Sequence, residues 1–116
     1  MNEPLAYAIV GHLVGDFAAQ NDWMALNKKK HWFPCFVHCV IWTWCVCYGA
    51  GWSHPFAVAW LFGTHFAIDR TNVVRNFMMA SGQSGFATGP LSPWSIVVVD
   101  NVWHIMTILA VARRLS

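Results

Sequence analysis

Six residues of this chain form three pairs with one spacing: His12 and Asp16, His65 and Asp69, Asp100 and His104. Residues four apart on a helix share a face, with Cβ atoms about 5–6 Å apart, so each pair presents an imidazole beside a carboxylate. Three of the four Asp are matched to a His in this way, far more than six scattered His would give by chance. His nitrogen and Asp oxygen bind zinc at about 2.0–2.2 Å, and the same mixture suits manganese or iron. His38 adds a further ring. Seven such groups, His12, Asp16, His38, His65, Asp69, Asp100 and His104, are candidate metal ligands. They would suffice for two ions, or for one ion with a surrounding shell of hydrogen-bond partners. The rival is an interhelical His–Asp network that only glues helices together. A single pair would favour that rival; three pairs plus His38 favour metal.

The elements that must carry these groups follow from composition. Apolar residues make up 57 % of the 116 and charged residues 10 %, with eight Trp and eight Phe. A soluble surface needs roughly a quarter to a third of its residues charged, and disorder needs low hydrophobicity with high net charge. Both are excluded, leaving a small integral membrane protein. The net charge of +2 is too weak to argue for nucleic acid as a partner. From His31 to Ile68 there is no Asp, Glu, Lys or Arg. That run is long enough for two spans of about 20 residues, with Gly49, Gly51, Ser53 and Pro55 marking the turn. The expected fold is therefore an all-α, four-helix transmembrane bundle in one domain, residues 1–116. Its spans are expected at about 4–20, 33–48, 55–70 and 94–112. Asn21–Trp32, with Trp23, Met24 and Leu26 beside Lys28, Lys29 and Lys30, reads as an interfacial amphipathic segment after the first helix. Ser81–Pro93, rich in Gly, Ser and Pro, reads as a loop.

Depth and orientation agree with the spacing. Antiparallel spans place Lys28–Lys30, Arg70 and Arg75 on one side, with Arg113 and Arg114 on the other. Five basic residues against two make the first side cytoplasmic, with both termini outside. At 1.5 Å per residue, all four helices then deliver their His and Asp to one layer in the cytoplasmic half. A charged group at that depth is costly, so it is a functional candidate by default. Gln20, Arg70, Asn72 and Asn101 are candidates to hydrogen-bond the metal ligands or to contact a substrate. His31 and His54 read as interfacial, and the Trp residues as belt anchors and lipid-facing bulk. Cys35, Cys39, Cys45 and Cys47 fit neither a paired zinc pattern nor a secreted disulfide framework, and read as reduced apolar filler. The Met-Asn-Glu-Pro start lacks the features of a cleaved signal peptide. The first segment is expected to stay.

Several of these residues also carry a family resemblance. His12-Leu-Val-Gly15-Asp16-Phe17-Ala-Ala-Gln20, then Asp22-Trp23-Met24-Ala25 and Lys28, resembles the opening signature of a family of small bacterial and phage membrane proteins, domain of unknown function 3307. His38, His65-Phe-Ala-Ile-Asp69 and Asp100-Asn101-Val-Trp-His104 continue it. Asn101 stands where the family usually has Gln. The resemblance implies a helical membrane protein with a polar centre able to bind metal, and the expected location is the bacterial inner membrane, multi-pass. It implies no activity.

Two function classes follow from the residues. One is a membrane-embedded, metal-dependent hydrolase, with zinc the first choice of ion and manganese or iron next. Its basic face would hold an anionic headgroup of a membrane lipid. Glu3 is the sole Glu, so an Asp would have to serve as general base. The other is a non-catalytic protein: a structural or sensing ion, or a phage accessory factor with the polar layer as glue. Eight Trp on four helices leave room for a homo-oligomer or a larger membrane complex.

Overall fold

A computed structural model describes residues 3–18 and 20–115, all helix and connecting turn where it is regular. Ala19, inside the expected first span, and the Met1-Asn2 start lie outside the described residues. Helix α1 runs over Glu3–Leu13 and continues into a π-helical turn, Val14–Ala18. Next come α2 (Asp22–Asn27), α3 (Trp32–Ala50), α4 (Pro55–Arg70), α5 (Val73–Ala80), α6 (Ser84–Thr88) and α7 (Trp94–Leu115). Helices α1, α3, α4 and α7 form a ring in which α1 packs on α3, α3 on α4, α4 on α7, and α7 back on α1.

Local chemistry sets the boundaries. The Asn21 side chain accepts from the Met24 backbone N–H at 2.9 Å and starts α2. Gly51, at φ 73°, takes the left-handed conformation that closes α3. Pro55 opens α4 at a position where its missing N–H costs nothing, behind a cap in which His54 Nδ1 accepts from the Phe56 N–H at 3.0 Å. The expected loop at Ser81–Pro93 contains α6. Its Ala87 packs with Ile68, Val74 and Met78, so burial overrides the loop-like composition there.

Each long helix has a narrow buried stripe at helical spacing: Cys35, His38, Cys39, Trp42 and Val46 on α3, and Ala57, Leu61, His65, Ile68 and Asp69 on α4. Ala8, Trp42, Val46, Ala57, Leu61, Ile108 and Val111 form an apolar core at one end. The outer faces are apolar as well. Trp44 is 64 % exposed, Tyr48 75 % and Trp94 70 %, while four His and two Asp are buried. Polar groups inside and aromatic groups outside invert the pattern of a water-soluble domain.

Two helices, Trp32–Ala50 and Trp94–Leu115, are long and apolar enough to cross a membrane. The other two expected spans are shorter: α1 with its π turn has eleven plus five residues, and α4 has 16. At 1.5 Å per residue each reaches about 24 Å, against about 30 Å of hydrocarbon.

Candidate metal centre

The closest helix contact positions the site. A Cβ on Gly11 would lie 2.5 Å from the Cys45 carbonyl oxygen, and one on Gly15 would lie 2.8 Å from Trp42 Cδ1. Two glycines four apart therefore let α1 sit against α3 backbone to backbone. That contact brings His12 and Asp16 alongside His38 and Trp42. The π turn carries Asp16, and such turns recur where a functional side chain must be re-aimed.

Four donor atoms meet at the centre. His38 Nε2 lies 2.9 Å from His65 Nε2, 2.9 Å from Asp69 Oδ2 and 3.1 Å from Asp16 Oδ1. His65 Nε2 lies 3.0 Å from Asp69 Oδ2 and 3.5 Å from Asp16 Oδ1. Asp16, His38, His65 and Asp69 each place a ligand atom within 4.8 Å of the other three, and all four residues are buried. A regular tetrahedron around an ion at 2.0–2.1 Å has edges of about 3.3–3.4 Å, and five of the six edges here run from 2.9 to 3.5 Å.

Proton counting tests the fit. His38 Nε2 can carry one N–H, yet it has three close acceptor-type neighbours. Among the described residues, the buried Asp16 Oδ1 accepts no hydrogen bond, although two imidazole nitrogens face it. Lone pairs thus converge with too few protons between them, which is costly in a buried site and which a cation at the centre would relieve. Charge allows the same answer. With neutral histidines, Asp16, Asp69 and Asp100 carry three negative charges. Lys28, whose Nζ donates to Asp69 Oδ2 at 3.0 Å, cancels one. One divalent ion would cancel the remaining two, as would protons on two of the four buried histidines.

The other expected ligands lie around these four. His104 Nε2 is 3.2 Å from both Asp69 Oδ1 and Asp100 Oδ2, and its Nδ1 is 3.1 Å from His65 Nδ1. If His65 gave its Nε2 lone pair to an ion, its Nδ1–H would donate to His104 Nδ1. The Nε2–H of a neutral His104 would then donate to Asp100 and Asp69. This relay uses the ring protons of His65 and His104, while the Nδ1–H left on His38 is buried without a hydrogen-bond partner among the described residues. A second ion on His104 Nε2 would instead set two Nδ1–H groups against each other, although Asp16, Asp100 and His104 also bring ligand atoms within 4.8 Å. His12 lies in the same layer with both nitrogens taken. Trp42 Nε1–H donates to its Nδ1 at 3.0 Å, and its Nε2–H donates to Asn101 Oδ1 at 2.8 Å. Asn101 in turn donates to the Val97 carbonyl. His12 therefore offers no lone pair to an ion in this arrangement.

Gln20 donates to the Asp16 carbonyl oxygen at 3.0 Å and steadies the π turn. Arg70 donates to the Lys29 carbonyl oxygen at 2.7 Å and does not reach the donors. Asn72 lines a cavity of about 290 Å³ that reaches Asp69 and Asp100 at its inner end. Lys28, Lys29 and Arg75 line the same cavity. Burial works against the Lys28 ammonium, but the Asp69 and Asp16 carboxylates outweigh it and raise its pKa. For Lys29 burial wins, and its pKa is lowered.

Four contributors to the site were not legible in the sequence. Trp42 is not a belt residue: it is fully buried and stacks on His65, centroids 3.9 Å apart at 18°. Its place four residues after His38 was the available signal. Gly11 and Gly15 form a small-xxx-small spacing that predicts close helix contact. Lys28, expected on the interfacial basic face, reaches inward to Asp69. Among the described residues all four cysteines are free thiols, with Cys35 and Cys39 sulfurs 4.0 Å apart.

A family model described as protein of unknown function (DUF3307) matches residues 5–116. No curated protein and no solved structure matches the chain.

Proposed function

The chain belongs to the DUF3307 family, whose description assigns no activity, and we propose from the site itself that it is a divalent-metal protein of the membrane acting as a hydrolase. The bundle would be a four-helix, multi-pass protein of the bacterial inner membrane, its basic face cytoplasmic, with zinc the first choice of ion and manganese or iron next. The near-tetrahedral meeting of Asp16, His38, His65 and Asp69 carries this reading.

The apolar outer faces and the two long apolar helices support the membrane setting. The shorter α1 and α4 fit a locally thinned bilayer, at a modest cost per ångström of mismatch. A bound divalent ion would lower the pKa of water towards neutrality and polarise a carbonyl or phosphoryl oxygen. The chain's own groups do the rest. Trp42 and His104 hold the His65 ring from its face and from Nδ1. Lys28 offsets the charge of Asp69. Asp100, with its side chain 22 % exposed at the inner end of the cavity, is the carboxylate placed to accept a proton there, with His104 behind it.

A second reading rests on one observation. All four donors are buried, and a closed four-donor set is the usual form of a structural ion. In that case the ion would lock or sense the bundle. Metal analysis of protein purified in mild detergent, beside an Asp16→Ala/Asp69→Ala variant, tests the shared premise. About one equivalent in the wild type, lost in the variant, supports it. No metal after reconstitution with zinc, manganese or iron refutes both readings. Loss of hydrolysis in Asp100→Ala with the ion retained separates catalysis from a structural role.

A further inference from the structure

We infer that the cavity beside the centre is a binding site for the phosphate group of a phosphate monoester. This rests on the metal reading for its charge balance. Once one divalent ion and Lys28 offset the three carboxylates, Lys29 and Arg75 remain as two uncompensated positive charges on the cavity wall. A phosphate monoester carries about −1.5 to −2 at neutral pH, which matches that surplus.

The two cations are placed for different work. Lys29 is fixed: its Nζ donates to the carbonyl oxygens of Ile68, Asp69 and Thr71 at 3.3, 3.1 and 2.7 Å, closing the end of α4. These three carbonyl oxygens hold its charge at the wall. Arg75 is exposed on the first turns of α5 and has no hydrogen bond or ion pair among the described residues. A planar guanidinium on a cavity wall suits two parallel hydrogen bonds to phosphate oxygens. Beside Thr71 and Asn72, the remaining wall is made by Val74, Pro93, Ile96 and Val97, so the ester's alcohol part would lie against aliphatic surface. A cavity of about 290 Å³ has room for the phosphate and part of that group. The phosphate could arrive on a lipid headgroup or on a water-soluble ester, since both present the same dianion.

The test uses the full chain in mild detergent, loaded with Mn²⁺ and its metal content measured. The ³¹P relaxation of inorganic phosphate and of dihexanoyl phosphatidate is followed in wild type, Arg75→Gln and Lys30→Gln, the last being an exposed lysine outside the cavity lining. We expect relaxation enhancement in the wild type. Loss of a charged hydrogen-bonding partner should weaken binding about tenfold in Arg75→Gln, with Lys30→Gln unchanged. Stronger binding of phosphatidate than of phosphate identifies a lipid source, and equal binding a soluble one. Bound metal without enhancement by either probe overturns the phosphate site and leaves the metal centre standing. Enhancement that is the same in Arg75→Gln also overturns it. Absence of bound metal overturns both.

Discussion

Asp69 and Asp100 are both carboxylates of the same layer, and the geometry gives them different consequences when mutated. Asp69 contributes Oδ2 to the four-atom centre, 2.9 Å from His38 and 3.0 Å from His65, and also pairs with Lys28. Asp100 contacts His104 at 3.2 Å and comes within 4.8 Å of a ligand atom of Asp16, outside the four-donor set. Structural zinc sites bind with about 10–16 kcal/mol over four ligands, so one donor is worth about 2.5–4 kcal/mol, or roughly 60- to 700-fold in affinity. Asp69→Asn should lose at least that much, because it also removes the negative charge that offsets the Lys28 ammonium. Loss of an outer-shell partner costs typically 10–100-fold. Asp100→Asn should sit at the lower end, since its amide oxygen can still accept from His104 Nε2. The assay is competition for Zn²⁺ against a fluorescent chelator in detergent, with circular dichroism confirming helix content in each variant. Asp100→Asn falling as far as Asp69→Asn would put Asp100 among the direct ligands and refute the relay. Asp69→Asn losing less than tenfold would refute the four-donor centre itself.

Three further outcomes follow from the packing. Gly11→Ala would press a methyl group against the Cys45 carbonyl and the Val46 backbone, which cannot rotate away; thermal unfolding in detergent should show about 1–3 kcal/mol of destabilisation, and an unchanged midpoint would contradict the close α1–α3 contact. Trp42→Phe keeps a ring over His65 but removes the donor to His12 Nδ1, leaving a buried acceptor unpaired at a cost of about 1–3 kcal/mol; Trp42→Ala should cost more. Lys28 has its pKa raised above the ordinary 10.5, so its stabilising charge is fully present below about pH 10.5 and fades as pH rises through the higher folded value. Metal-free wild type should therefore lose stability at strongly alkaline pH, and Lys28→Met, less stable at neutral pH, should show a smaller alkaline loss.

Much of the architecture was readable from residue order. The charge-free run from His31 to Ile68, broken by Gly51 and Pro55, determines α3 and α4 almost to the residue, because apolar length and turn residues act locally. Pro55 begins α4 as expected, and Trp94 begins α7. The spacing of four likewise determined that each His–Asp pair shares a face, since that follows from helical geometry alone. α6 was not readable, because its Ser and Gly favour a loop and only the burial of Ala87 against α5 decides otherwise.

What sequence could not assign is the division of labour within the layer. His12 and His65 look alike in one dimension, each four residues before an Asp. Only the approach of α1 to α3 at Gly11 and Gly15 sets Trp42 on His12 Nδ1 and removes that ring from the donors. The stacking of His65 on Trp42 leaves its Nε2 facing His38 and both carboxylates instead. Lys28 shows the same limit: its identity gave a positive charge, but its reach to Asp69 depends on how α2 folds back against the bundle. Residue type and spacing are local quantities and fix which groups are available. Which lone pairs point at a common centre depends on ring orientation and helix separation, set by contacts between residues dozens of positions apart.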